Sequence, residues 1–241
     1  MGTRSDDGPR GRSDADRRVG YHPAALVGLA ASAGLPLAVY WRGEAAYPLV
    51  LFLAVAFTLF WYLFGVDTER PAQSAGITVL AIGYVGVLGS FAALILRNGS
   101  PLGTNTLLAI ILPTVAADVG ALVVGQNAGR SPLSPVSPNK TVEGALGGFA
   151  AAVVVSVLFN HFILDLQPFN GLWDSIALGV VIGIVAQLGD LCESLLKRSF
   201  GVKDMGTIIP GHGGVLDRFD ALLFALPSAY YLARLLDLLP R

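Results

Sequence analysis

The chain is poor in charge. Only 14% of its 241 residues are Asp, Glu, Lys or Arg, whereas soluble domains carry about 25%. No polar region is long enough to build a sizeable water-soluble domain. Cysteine occurs once, at Cys192. A single thiol closes no disulfide within the chain and lacks the companions of a zinc site, so Cys192 reads as a small core residue. The first residues have no apolar run directly behind a short basic head, so a secretory signal peptide is not expected. A net charge of −1 selects no partner by itself, and no nucleic-acid partner is expected.

Apolar residues are what the chain has in abundance. They make up 54% of it, and the mean hydropathy is +0.63. Seven segments are long and apolar enough to be read as spans of about 20 residues. They cover about residues 23–41, 46–65, 73–96, 104–125, 143–164, 173–196 and 215–239. Tyr47, Trp61 and Tyr62 suit the interfaces of the second. Scattered Gly and Ala suit close helix packing in lipid. The expected fold is therefore an all-α, polytopic membrane bundle. Residues 1–22, polar and of mixed charge, read as a disordered cytoplasmic tail, and residues 23–241 as the transmembrane catalytic domain. With the N-terminus in the cytoplasm and seven spans, twelve of the 16 Lys and Arg fall on the cytoplasmic side. That bias, and with it the loops 126–142 and 197–214, points the polar face to the cytoplasm.

Against this background one stretch stands apart. Ser194, Lys197 and Arg198 are followed by Lys203 and Asp204, then by Pro210-Gly211-His212-Gly213-Gly214, then by Asp217, Arg218 and Asp220. A bilayer accepts such a cluster only at its surface or around a watery cavity. On the sixth segment Gln187, Asp190, Ser194 and Lys197 share one helical face, with Glu193 beside them. Asp217 and Asp220 share a face at the start of the seventh. Paired with Asp190, Asp217 offers hard oxygen ligands of the kind Mg²⁺ takes together with substrate phosphates. The same carboxylates also suit helix capping, and Asp190 also suits an interhelical pair with a lysine. The glycines of the turn let backbone N–H groups approach phosphate oxygens. His212 reads equally as a base, a phosphate donor or a turn residue.

A second cluster lies upstream: Arg130, then Ser137, Asn139, Lys140, Thr141 and Glu143. Thr141 is the expected N-cap of the fifth helix, with Glu143 in its first turn. That helix start, beside Lys140 and Ser137, is an expected anion site. Asp118, with Thr114 one turn away, is a supporting acid inside the fourth segment. Spacing alone supports an enzyme acting on a phosphorylated lipid or a nucleotide, without choosing the reaction.

The run from Ser194 to Asp220 resembles the signature of the phosphatidate cytidylyltransferases, the CDP-diacylglycerol synthases. So do Asp118, Gly125, Gly129 and the stretch Ser137-Pro138-x-Lys140-Thr141-x-Glu143-Gly144. The resemblance covers residues 104–225. It implies the reaction of CTP with phosphatidic acid to give CDP-diacylglycerol and pyrophosphate, at a multi-pass homodimer in the cell membrane. It also implies a need for Mg²⁺, often with a monovalent cation such as K⁺. Carried over by position, Asp190 and Asp217, with Asp220, are metal ligands. Lys140, Lys197, Arg198, Lys203, Ser137, Ser194, His212, Gly213, Gly214, Arg218 and Arg130 are phosphate contacts, with Lys140 and Lys197 counted among the catalytic groups. Two positions depart from the pattern: Gln126 stands where the family commonly has Arg, and Val142 where it commonly has an aromatic. Other readings are a CTP-using polyprenol kinase and, from a different class, a cation transporter or channel.

Overall fold

A computed structural model describes residues 22–65, 70–135, 137–199 and 219–239. The expected tail, apart from His22, and the basic and glycine-rich stretch 200–218 lie outside the described residues. The all-helical membrane class holds. The helices are α1 (Ala25–Arg42), α2 (Ala46–Leu63), α3 (Pro71–Leu96), α4 (Leu102–Ala128), α5 (Val142–Ile163), α6 (Leu172–Ser199) and α7 (Asp220–Leu235). Five stretches are long and apolar enough to cross a membrane. The first of these, Ala25–Leu63, contains both α1 and α2, while α7 has 16 residues and falls short of a usual span. Seven crossings therefore do not follow from length and composition.

The chain reverses between α1 and α2 at Gly43, whose φ of +68° belongs to the left-handed region. A Cβ there would also lie 2.9 Å from the Arg97 guanidinium. Next to that turn, Glu44 accepts a 2.6 Å hydrogen bond from the Tyr230 hydroxyl and pairs with Arg234 at 3.6 Å. The α1–α2 turn, the end of α3 and the end of α7 thus meet at one end of the bundle. At the other end, the Tyr62 hydroxyl donates to the His22 carbonyl and the His22 N–H donates to Ser74 Oγ. The end of α4, the start of α5, the end of α6 and the start of α7 share that second end, because the helices alternate in direction.

Helices α4 and α5 pack along a seam of small residues. A Cβ on Gly148 would sit 2.6 Å from the Ala117 carbonyl oxygen, and one on Gly144 would sit 2.8 Å from that of Ala121. Only glycine permits that backbone approach. Pro113, inside α4, has no N–H for the Ala109 carbonyl one turn earlier. Asn160 of α5 fills the gap, donating its Nδ2 to that oxygen at 3.4 Å. Asn160 lies in a π-helical segment, Ser156–Ile163, and is fully buried. Ser156 in turn donates to the Ser175 carbonyl at 2.7 Å, and Ser175 donates to that of Phe169 at 2.6 Å. Away from water, such bonds satisfy polar groups that nothing else can reach.

Between α4 and α5 the expected plain loop is instead a small antiparallel hairpin, β1 (Pro132–Ser134) and β2 (Ser137–Thr141). It is this hairpin that aims Lys140 across at α6.

Candidate active site

A cavity of about 510 Å³ opens at the hairpin end of the bundle. Asp118 and Gln126 of α4 form one wall, and Asn139, Lys140 and Thr141 of β2 another. Gln187 and Asp190 of α6 and Asp220 of α7 close it. Asp190 therefore stands at membrane depth because α6 carries its polar stripe inward, as the 3.6-residue period requires. Lys140 Nζ forms a direct ion pair with Asp190 Oδ2, and both side chains are partly buried. Gln187 is held one turn earlier, donating to the Ala145 carbonyl at 2.6 Å and to that of Gly183 at 3.1 Å.

The Asp220 carboxyl lies against those of Asp190 and Glu193, and its Oδ1 accepts from the Ala221 N–H at 2.7 Å. Glu193 is buried and pairs with Lys197 at 2.9 Å, one turn along α6. Among the described lining residues, Asp118, Asp190 and Asp220 carry three negative charges against the one positive charge of Lys140. Such a cavity repels a polyphosphate unless cations enter with it. Among the described residues no group of three or more His, Cys, Asp or Glu side chains is arranged to hold a metal ion. Two adjoining carboxylates, Asp190 and Asp220, nevertheless fit Mg²⁺, which commonly takes one or two carboxylates and completes its shell with phosphate oxygens and water.

A model of the cytidylyltransferase family matches residues 13–236. The chain belongs to the cytidylyltransferase family. Among curated members, the phosphatidate cytidylyltransferase of a Synechocystis species is 48% identical over 121 residues, which are 50% of this chain and 40% of that protein. That of Staphylococcus saprophyticus is 37% identical over 177 residues, 73% of this chain and 65% of the relative. That of Staphylococcus aureus is 35% identical over the same shares. The chain thus spans between 40% and 65% of the length of these cytidylyltransferases.

Within this family member the expected site residues divide into three groups. Asp118, Lys140, Asp190 and Asp220 converge on the cavity. Ser137, Ser194, Arg198 and Arg130 are not among the residues lining it, and Lys197 turns to Glu193. Asp217, Lys203, His212, Gly213, Gly214 and Arg218 lie outside the described residues. The described neighbour of Asp190 on α7 is Asp220.

The start of α5 differs from the expected anion site. Thr141 is the N-cap as expected, accepting from the Gly144 N–H at 3.1 Å. The Val142 N–H, however, is taken by the Ser131 carbonyl at 2.9 Å. Glu143 Oε2 accepts from the N–H groups of Arg130 and Ser131 at 3.0 and 3.2 Å. The helix start therefore closes on its own hairpin and presents a carboxylate, so the anion-attracting group here is Lys140. Gln126 lines the cavity at the position where an arginine is common, and the exposed Arg130 does not replace it there. Asn139 and Gln187, in the cavity wall, were legible only as members of a motif and a polar stripe.

Proposed function

We propose that this chain transfers the cytidylyl group of CTP to phosphatidic acid, giving CDP-diacylglycerol and pyrophosphate for phospholipid synthesis. The observation that carries the reading is the Lys140–Asp190 pair, set beside Asp118 and Asp220 in one cavity at the end of an apolar bundle. Membership of the family, and the activity named for its relatives, support it. The cavity end faces the cytoplasm, in keeping with the positive-inside bias, so CTP arrives from water while the acyl chains remain in the leaflet of the cell membrane.

A phosphate monoester is already largely ionised near neutral pH, so its oxygen attacks the α-phosphorus of CTP without a protein base. The new bond is O–Pα, the Pα–O–Pβ bond breaks in line, and pyrophosphate leaves with the electron pair. The Lys140 ammonium has three donors. One holds Asp190, and the others are available to phosphate oxygens that would otherwise repel one another. Asp190 and Asp220, with Asp217, hold Mg²⁺, which when bound neutralises charge on the phosphates. Gln187 keeps the α6 stripe turned to the cavity. Lys197, Arg198, Lys203, Arg218, Ser137, Ser194 and the His212-Gly213-Gly214 turn supply further phosphate contacts. A K⁺ requirement and a homodimer belong to the same proposal.

The test uses the purified full chain with cytosine-labelled CTP, phosphatidic acid and Mg²⁺. Label entering the lipid phase as CDP-diacylglycerol supports the reading. Transfer of the γ-phosphate to lipid with release of CDP indicates a kinase instead, and cation flux in liposomes that ignores CTP indicates a transporter. Asp217→Asn with turnover intact removes that residue from the metal set, and a single-protomer mass in detergent and nanodiscs removes the dimer.

A further inference from the structure

Tyr84 lies in α3, in the part of the chain where the sequence offered nothing but hydrophobicity. It sits in a π-helical turn, Ile82–Val87. Single π turns recur at functional sites because they re-aim one side chain without ending the helix. Tyr84 is only 8% exposed, and its hydroxyl is buried with no hydrogen-bond partner among the described residues.

Its ring is seated on Phe224, centroid to centroid at 6.1 Å. Phe224 follows Asp220 by one turn on α7 and so shares its face. On the far side, α6 presses against the same two residues. A Cβ on Gly189 would lie 3.0 Å from the Asp220 carbonyl and 3.1 Å from the Phe224 ring. Glu193 follows Gly189 by one turn. The ionisable groups close enough to act on the Tyr84 hydroxyl are Glu193, Asp220, Cys192 and Asp190. Three are carboxyls, rich in acceptors. Their described donors are few: Lys140 for Asp190, Lys197 for Glu193 and the Ala221 N–H for Asp220. A buried phenol without an acceptor, next to carboxyls short of donors, is a matched pair of deficits.

We infer that Tyr84 is a positioning residue: from its seat on Phe224 its hydroxyl donates to the Glu193–Asp220 carboxyl pair and holds it in place for the cation taken by Asp220 and Asp190. The inference rests on the metal reading above. It acts on the cation site, leaving the lipid contacts alone.

The test is Tyr84→Phe, which keeps the ring on Phe224 and removes one oxygen. Mg²⁺-induced thermal stabilisation of the purified full chain is titrated in detergent, and the Mg²⁺ dependence of turnover is measured alongside. The expected result is a Mg²⁺ midpoint about tenfold higher in both measurements, as for loss of one hydrogen bond to a charged group. The KM for phosphatidic acid should stay unchanged, and stability without Mg²⁺ should be equal or higher. In a Glu193→Gln background the effect should shrink to nothing. Equal Mg²⁺ midpoints in wild type and Tyr84→Phe overturn the inference while leaving the metal reading standing, as does full additivity with Glu193→Gln. A wild-type chain that does not respond to Mg²⁺ overturns both.

Discussion

Two cavities of nearly equal size lie in this protein, and they differ in almost everything else. One, of about 510 Å³, is walled by α4, β2, α6 and the start of α7, with Asp118, Lys140, Gln187, Asp190 and Asp220 turned into it. The other, of about 530 Å³, lies between α1 and α2 and is walled by hydrocarbon such as Leu26, Leu53, Phe57 and Trp61. Volume therefore says nothing about chemistry here. The apolar hollow takes any hydrocarbon and gives no direction to a charged group. The polar one fixes an ammonium and three carboxylates on four separate elements, and that convergence is what a phosphate chemist would look for.

The packing beneath the two differs as well. Glycines let the α4 and α5 backbones close to contact along Gly144 and Gly148, which sets the distance between Asp118 and the hairpin carrying Lys140. In the α1–α2 pair, Leu49, Phe52 and Phe57 point outward and are well exposed, as suits a surface that meets lipid.

Mutations can break this contrast, and the strongest strike the polar cavity. Asp190→Asn should lower turnover by about 10³-fold or more, because it removes the carboxylate shared by Lys140 and the cation. Turnover with thermal stability measured alongside checks that the loss is chemical. Gly148→Val drives a side chain into the Ala117 carbonyl and should cost about 3 kcal/mol or more of stability, read as a lowered midpoint of thermal unfolding in detergent. Lys140→Gln should lower kcat/KM for CTP by about 10²-fold, with Lys140→Arg recovering part of it.

Two milder changes sharpen the comparison. Asn160→Leu leaves the Ala109 carbonyl without a donor and should cost about 1–2 kcal/mol, read in the same unfolding assay, with little change in KM. Phe57→Leu, in the wall of the apolar hollow, should change stability by no more than about 0.5 kcal/mol and activity by less than about twofold. A large loss of activity there would mean that the two hollows work together.

How much of this was legible in the chain depends on whether the signal was local. The second segment, read as 46–65, is the helix Ala46–Leu63, and the fourth, read as 104–125, is Leu102–Ala128. Long apolar runs announce themselves by composition. The Asp190 stripe was legible because a helix repeats every 3.6 residues, and the Thr141 cap because its partner lies three residues away. The hairpin was not, since Pro132-Leu133-Ser134 and the five residues of β2 show no alternation. Nor was the closure of the α5 start by Glu143 and Ser131, which takes a bond across 12 or 13 positions. The meeting of Tyr84 with Phe224 spans three helices and leaves no trace in spacing.

The proline gap in α4 and the asparagine that spans it form a single unit of inheritance. Replace Pro113 by an ordinary residue and the helix regains its own amide donor, so Asn160 is left with a redundant carboxamide deep in an apolar setting. Replace Asn160 first, and the gap stands open until the proline goes too. Change at these two distant places should therefore come in tandem, and an engineer who straightens one helix should retouch the other.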